Sequence, residues 1–165
     1  PELFTQLLNT FARTGTRDAI SKPLVIAPQD YRLSNMLRVG IPKELVQMLD
    51  RFAEGQVFYE QTPHPWTLRP ATEIRGRVIS EAHSSETVHF MDLADGRAVV
   101  YTTVRGKDRT RRAGRVLVGR LEGAAIQADS VRVIAKGMTE FLDRVVREEG
   151  RYYFDAPSFE SEPLH

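Results

Sequence analysis

A series of short runs rich in β-branched residues, Arg77-Val-Ile-Ser80, Thr87-Val-His-Phe-Met91, Ala98-Val-Val-Tyr-Thr-Thr-Val104 and Arg115-Val-Leu-Val-Gly119, succeed one another with turn residues between them. Runs of this length and composition predict strands rather than helices, and their succession predicts an antiparallel meander. Turns are expected at Ala82 to Glu86, at Ala94-Asp95-Gly96 and across the basic stretch Gly106 to Gly114. The Asp-Gly pair is the sharpest of these signals, because both residues tolerate the positive φ that a tight hairpin needs. The two runs around it are apolar on both faces, which predicts neighbouring strands in the middle of the sheet.

Amphipathic segments flank the runs. Leu3, Phe4, Leu7, Leu8 and Phe11 are spaced for one face of a helix that ends before Gly15. Pro42 suits a first helical position and Gly55 a residue just past a helix end, with Leu45, Val46, Leu49, Phe52 and Ala53 as the apolar stripe between them. A closing helix is expected within Val133 to Gly150, presenting Ile134, Met138, Phe141, Leu142 and Val145. Glu140 near its start and Arg144 and Arg147 near its end suit the helix dipole. The expected fold class is therefore α+β, a largely antiparallel meander sheet packed by N-terminal and closing C-terminal helices. Pro23 and Pro28 break any helix between residues 21 and 39, where Leu24 to Ala27 reads as extended. Pro63, Pro65 and Pro70 surround the single tryptophan, Trp66, and predict an extended or looped segment at a sheet edge. Tyr152-Tyr-Phe is expected to return to the sheet, and the polar, acidic residues beyond Pro157 to fray.

A length of 165 residues and a hydrophobic fraction of 41% suit one domain with a full core. The net charge of +1 argues against a partner that engages the whole surface through one sign of charge. Cysteine is absent, so disulfides and thiolate chemistry are excluded. No apolar stretch approaches membrane-spanning length, and no basic-then-apolar leader opens the chain; a cytoplasmic, soluble protein is the expectation.

Residues Glu81 to Asp92 concentrate His83, His89, Glu81, Glu86 and Asp92, a metal-site composition without diagnostic spacing. Strict strand alternation places His89 with Met91 and Leu93 and turns Asp92 the other way, so His89 reads first as an ordinary sheet histidine. Ser84 and Ser85 lack a nucleophile-elbow frame, and the glycines form no phosphate loop, which leaves no catalytic residue, metal or cofactor to name. The strongest local charge feature is Arg105, Lys107, Arg109, Arg111, Arg112 and Arg115 against Asp108 alone. A solvated connection between strands is its plain reading. Its arginines also suit carboxylates of an acidic protein surface, or a nucleic-acid backbone, although the stretch has no aromatic residue for base stacking. Trp66 is either a core or edge packing residue or an interface anchor, and Tyr59 and Tyr101 stand equally open.

Taken in order, these stations resemble the SUKH superfamily, which includes fungal cell-wall-assembly regulators and many bacterial immunity proteins. The resemblance runs from about Leu37 to Asp155 and rests on four pieces: Ile41-Pro-Lys-Glu-Leu45 with Leu49 and Gly55; Trp66-Thr-Leu-Arg-Pro-Ala-Thr-Glu-Ile74; Asp92 to Gly96 with Val99-Val-Tyr101; and Val133 to Leu142. Gly137 stands where the family often has serine, and Ala53-Glu54-Gly55 where it usually has Asn-Gly. The resemblance implies a single domain over residues 1–165, with a core of about 37–155 and a tail at 156–165. It also implies a non-enzymatic protein that neutralises a bacterial toxin by direct binding. Trp66, Arg105, Arg109, Arg111 and Arg112 are the candidate partner-binding residues. The alternative is a regulatory or nucleic-acid-associated module using the basic stretch 105–115.

Overall fold

In the computed structural model the described residues are 2–13, 25–26, 44–45, 47–48, 52–57, 65–69, 73–79, 86–102 and 114–161. Helix α1 (Glu2–Arg13) is followed by strands β1 (Val25–Ile26), β2 (Phe52–Val57), β3 (Trp66–Leu68), β4 (Arg75–Val78), β5 (Glu86–Leu93), β6 (Ala98–Thr102), β7 (Arg115–Gly119), β8 (Leu121–Glu122), β9 (Ala125–Ile126) and β10 (Arg132–Ala135). Helix α2 (Met138–Arg147) comes last, and residues 44–45 and 47–48 are also helical. This is the α+β arrangement expected, an antiparallel sheet with a helix near each end of the chain.

Eight strands make the main sheet in the order β1-β2-β3-β5-β6-β7-β10, with β4 joined to β5. The meander β4-β5-β6-β7 is antiparallel throughout, and Gly96, at φ +91°, turns the chain between β5 and β6. Strands β3 and β4 share one edge of β5: β3 pairs with residues 91–93 and β4 with 86–89. They behave as a single strand interrupted between Arg69 and Ile74, and the Arg69 N–H carries the ladder one step further by donating to the Phe90 carbonyl at 3.0 Å.

One face of the sheet holds the main core. Phe4, Leu7 and Leu8 of α1 and Met138, Phe141, Leu142 and Val145 of α2 pack there with Trp66, Val88, Met91, Val99 and Val116. Each such side chain contributes about 1.5–3 kcal/mol through burial. Because α1 belongs to this cluster, the core reaches well before residue 37. The other face carries a smaller cluster, Ile79, Ala98, Val100, Leu117, Ile126 and Val133, closed by the β8–β9 hairpin.

Several expectations change. The helix expected from Pro42 up to Gly55 gives way at its end to a strand, since Phe52–Val57 is β2. Gly55 keeps a glycine-favouring φ of +142°, but it sits in a ladder opposite Leu68 rather than past a helix end. Leu45 and Met48 are buried, as a helical face requires. Residues 132–135 form β10 against β7, so α2 starts only after Gly137, and Glu140 reaches back to the Lys136 N–H. β3 lies between β2 and β5 rather than at an edge. Tyr153–Asp155 forms a 3-10 turn instead of a strand, with the Tyr153 hydroxyl donating to the Ile134 carbonyl at 2.7 Å. Beyond Pro157 the chain stays attached as far as Ser161, whose Oγ accepts the Val133 N–H at 2.9 Å.

Candidate functional site

Strand alternation alone would separate His89 from Asp92. The pairing His89 with Val100 and then Met91 with Val99 leaves Phe90 as an extra residue, a one-residue bulge that shifts the parity of β5. His89 and Asp92 therefore meet on the face opposite the main core, with Nε2 2.8 Å from Oδ1, while Met91 and Leu93 face the core. The bulge lies opposite the interruption between β3 and β4, and two arginines reach the pair, Arg69 from the gap and Arg77 from within β4. Arg69 donates through Nη1 to both Asp92 oxygens at 3.2 and 3.1 Å and through Nε to the Glu73 carbonyl at 2.7 Å. The same Nη1 lies 3.2 Å from both imidazole nitrogens, which sets it beside the ring carbon between them. Arg77 donates through Nε to His89 Nδ1 at 3.1 Å and through Nη1 to the Ala124 carbonyl at 3.3 Å, in the turn between β8 and β9.

These contacts set one tautomer: Nε2 carries the proton and donates to Asp92, and Nδ1 offers its lone pair to Arg77. The His89 side chain is 0% exposed. Burial pushes its pKa below the ordinary value, with Arg69 and Arg77 acting in the same direction and Asp92 against them, so imidazole is neutral at pH 7. Burial works to raise Asp92, but the His89 hydrogen bond and the Arg69 guanidinium outweigh it and hold the carboxyl below its ordinary value. Burial also lowers Arg77, with repulsion from Arg69 and Arg75. Both ring nitrogens are engaged and the ring is sealed, so His89 offers no lone pair to a substrate or metal. Among the described residues no group of three or more histidine, cysteine or acidic side chains could hold a metal ion. His83 lies outside them.

Trp66, a candidate docking residue from sequence, is 0% exposed. Its Nε1 donates to the Gly150 carbonyl at 2.8 Å, and Phe141, Tyr152 and Phe154 meet it edge to face. It is a core residue, and a docking role is withdrawn because the ring has no surface to offer. Tyr101 is likewise buried, its phenol lying where a side chain on Gly114 would sit. Arg105, Arg109, Arg111 and Arg112 lie outside the described residues, as does Tyr59. The roots of the basic stretch are placed, however. Arg77 pairs with Thr87, Thr87 with Thr102 and Thr102 with Arg115, so the stretch leaves and re-enters the sheet at the end where Arg77 and Arg115 stand.

A second charged centre had no signal beyond the Asp95-Gly96 turn. Arg97 donates to Asp95 at 2.8 Å and grips Asp155 with both terminal nitrogens at 2.8 and 2.6 Å, its guanidinium 5.2 Å from the Phe154 ring centre. That bidentate contact holds Arg97 above and Asp155 below their ordinary pKa values. A shallow cavity of about 340 Å³ lies beside it, lined by Asp95, Gly96, Arg97, Arg120, Leu121 and Gln127.

No protein-family model, curated protein or solved structure was found that matches this chain. Among the described residues no helix is long and apolar enough to cross a membrane.

Proposed function

We propose that this chain is a non-enzymatic protein-binding module of the immunity type, acting in the cytoplasm, which neutralises a bacterial toxin by covering its active surface. The SUKH-like order of motifs suggests that role. The observation that carries the binding mode is that the roots of the stretch containing Arg105, Arg109, Arg111 and Arg112 stand together at one sheet end, where Thr102 pairs with Arg115. Guanidinium groups make bidentate contacts with carboxylates, so the matching partner presents an acidic surface. The sealed state of His89 supports occlusion rather than catalysis, since a general base must reach its substrate proton. The same arginines favour a second reading, a regulatory or nucleic-acid-associated module, which predicts steep salt dependence.

The test is capture by tagged protein with and without nuclease, repeated with Arg109, Arg111 and Arg112 changed together to alanine. One stoichiometric polypeptide that survives nuclease supports the first reading. The triple variant is expected to weaken it by tenfold or more, a charged hydrogen bond being worth about 1.5–3 kcal/mol. Nucleic acid recovered in place of a polypeptide selects the second reading, and unchanged affinity of the variant removes the basic stretch from both.

A further inference from the structure

His89 is the hinge of a chain of contacts that runs from the sheet to the β8–β9 hairpin. Asp92 accepts from its Nε2 at 2.8 Å, Arg77 donates to its Nδ1 at 3.1 Å, and Arg77 reaches on to the Ala124 carbonyl at 3.3 Å. The hairpin itself is small, two residues pairing with two around Gly123. Beneath it lie Ile79, Val100 and Leu117, onto which its own Ile126 packs. We propose that His89 is an acid-sensitive latch: neutral, it anchors Arg77 and so the hairpin tip, and protonated, it releases both.

Donors and acceptors set the switch. A proton taken from solvent onto Nδ1 turns the acceptor that Arg77 Nε uses into a donor, and two N–H groups then face each other across about 3 Å. The charges work the same way. An imidazolium at this position meets Arg69 beside the ring, Arg77 at Nδ1 and Arg75 as its register partner on β4, against Asp92 among the described residues; Val100 faces it from β6. With the ring sealed, solvent cannot screen that imbalance. Arg77 is the movable member, because its strand is exposed at Arg75, Gly76 and Val78. Its departure removes the hold on Ala124, while Ile126, buried on Gly119, keeps the hairpin base in place. The local change is therefore an opening of the tip rather than loss of the fold.

The experiment is heteronuclear NMR of the full chain titrated downward from about pH 7.5 until the His89 ring itself has titrated, which burial places below the ordinary histidine range. The Ala124 carbonyl shift is expected to follow the His89 ring titration with the same midpoint. Amide protection in β8 and β9 should fall along that curve while β6 amides hold theirs. In His89→Gln, whose amide can donate to Asp92 and accept from Arg77 without titrating, the Ala124 signal should stay flat. In Arg77→Met it should also be flat, at the acid-limit value. An Ala124 signal that ignores His89 titration, or that moves equally in His89→Gln, overturns the latch. Protection lost from β6 in step with the hairpin overturns it too, since that is global unfolding.

Discussion

Replacing Trp66 by phenylalanine separates a core role from a docking role. The indole is fully buried, and its N–H is the donor to the Gly150 carbonyl, at the end of α2 where Glu149 and Gly150 take positive φ values of 54° and 81°. Phenylalanine keeps an aromatic ring for the edge-to-face contacts with Phe141, Tyr152 and Phe154 but leaves that carbonyl without its donor. A stranded buried acceptor costs about 1–3 kcal/mol, and the smaller ring leaves a void worth about 1 kcal/mol more. The sum, roughly 3 kcal/mol, corresponds to a Tm lowered by about 6–12 °C for a chain of this size. Circular dichroism is the assay, because the substitution removes the only tryptophan and with it the fluorescence signal. At a temperature where both proteins are folded, partner affinity should be the same. A Tm drop below about 2 °C, less than about 1 kcal/mol, would refute the packing argument. Lost binding with unchanged melting would return Trp66 to the interface.

Gly119→Ala should destabilise by about 1–3 kcal/mol in chemical denaturation, because a Cβ there would stand 2.5 Å from the buried Ile126 Cγ2. Adding Ile126→Ala removes the clashing methyl, so the double variant should lose less than the sum of the singles. Acid should weaken the fold through His89. The unfolded chain takes up a proton near the ordinary 6.5 and the native site resists it, so the unfolded state binds more protons and stability falls with pH below that value. Proton uptake by the unfolded chain alone sets an upper bound of about 1.3 kcal/mol on the loss between pH 7 and pH 5.5, native protonation reduces it, and urea titrations of His89→Gln should lack it. Asp92 and Asp155, held below their ordinary 3.8, add a second decline that begins as the unfolded carboxyls protonate near that value and is complete once pH has fallen through their lower native values.

The meander was legible because β-branched runs and an Asp-Gly turn are local signals, and the apolar faces of α1 and α2 because a helical stripe must be covered. The strands Phe52–Val57 and Arg132–Ala135 were not. Over so few residues a helical stripe and a strand look alike, and partners elsewhere in the chain, β3 for one and β7 for the other, decide between them. Arg97 was hidden for a related reason: Asp155, which fixes it, is 58 residues away in sequence. The His89–Asp92 pair is the most instructive case, because strict alternation puts the two residues on opposite faces and the structure puts them on one. The rule assumes an unbroken ladder, and whether β5 carries an extra residue depends on where β3 ends and β4 begins on its other side. Phe90 stands at that gap, its carbonyl taken by the Arg69 N–H, and the side chain of Arg69 enters through it to Asp92. The break in the strand therefore supplies both the parity shift and the guanidinium that the shifted pair requires, and a ladder regular enough to be read from sequence would not have brought His89 and Asp92 together.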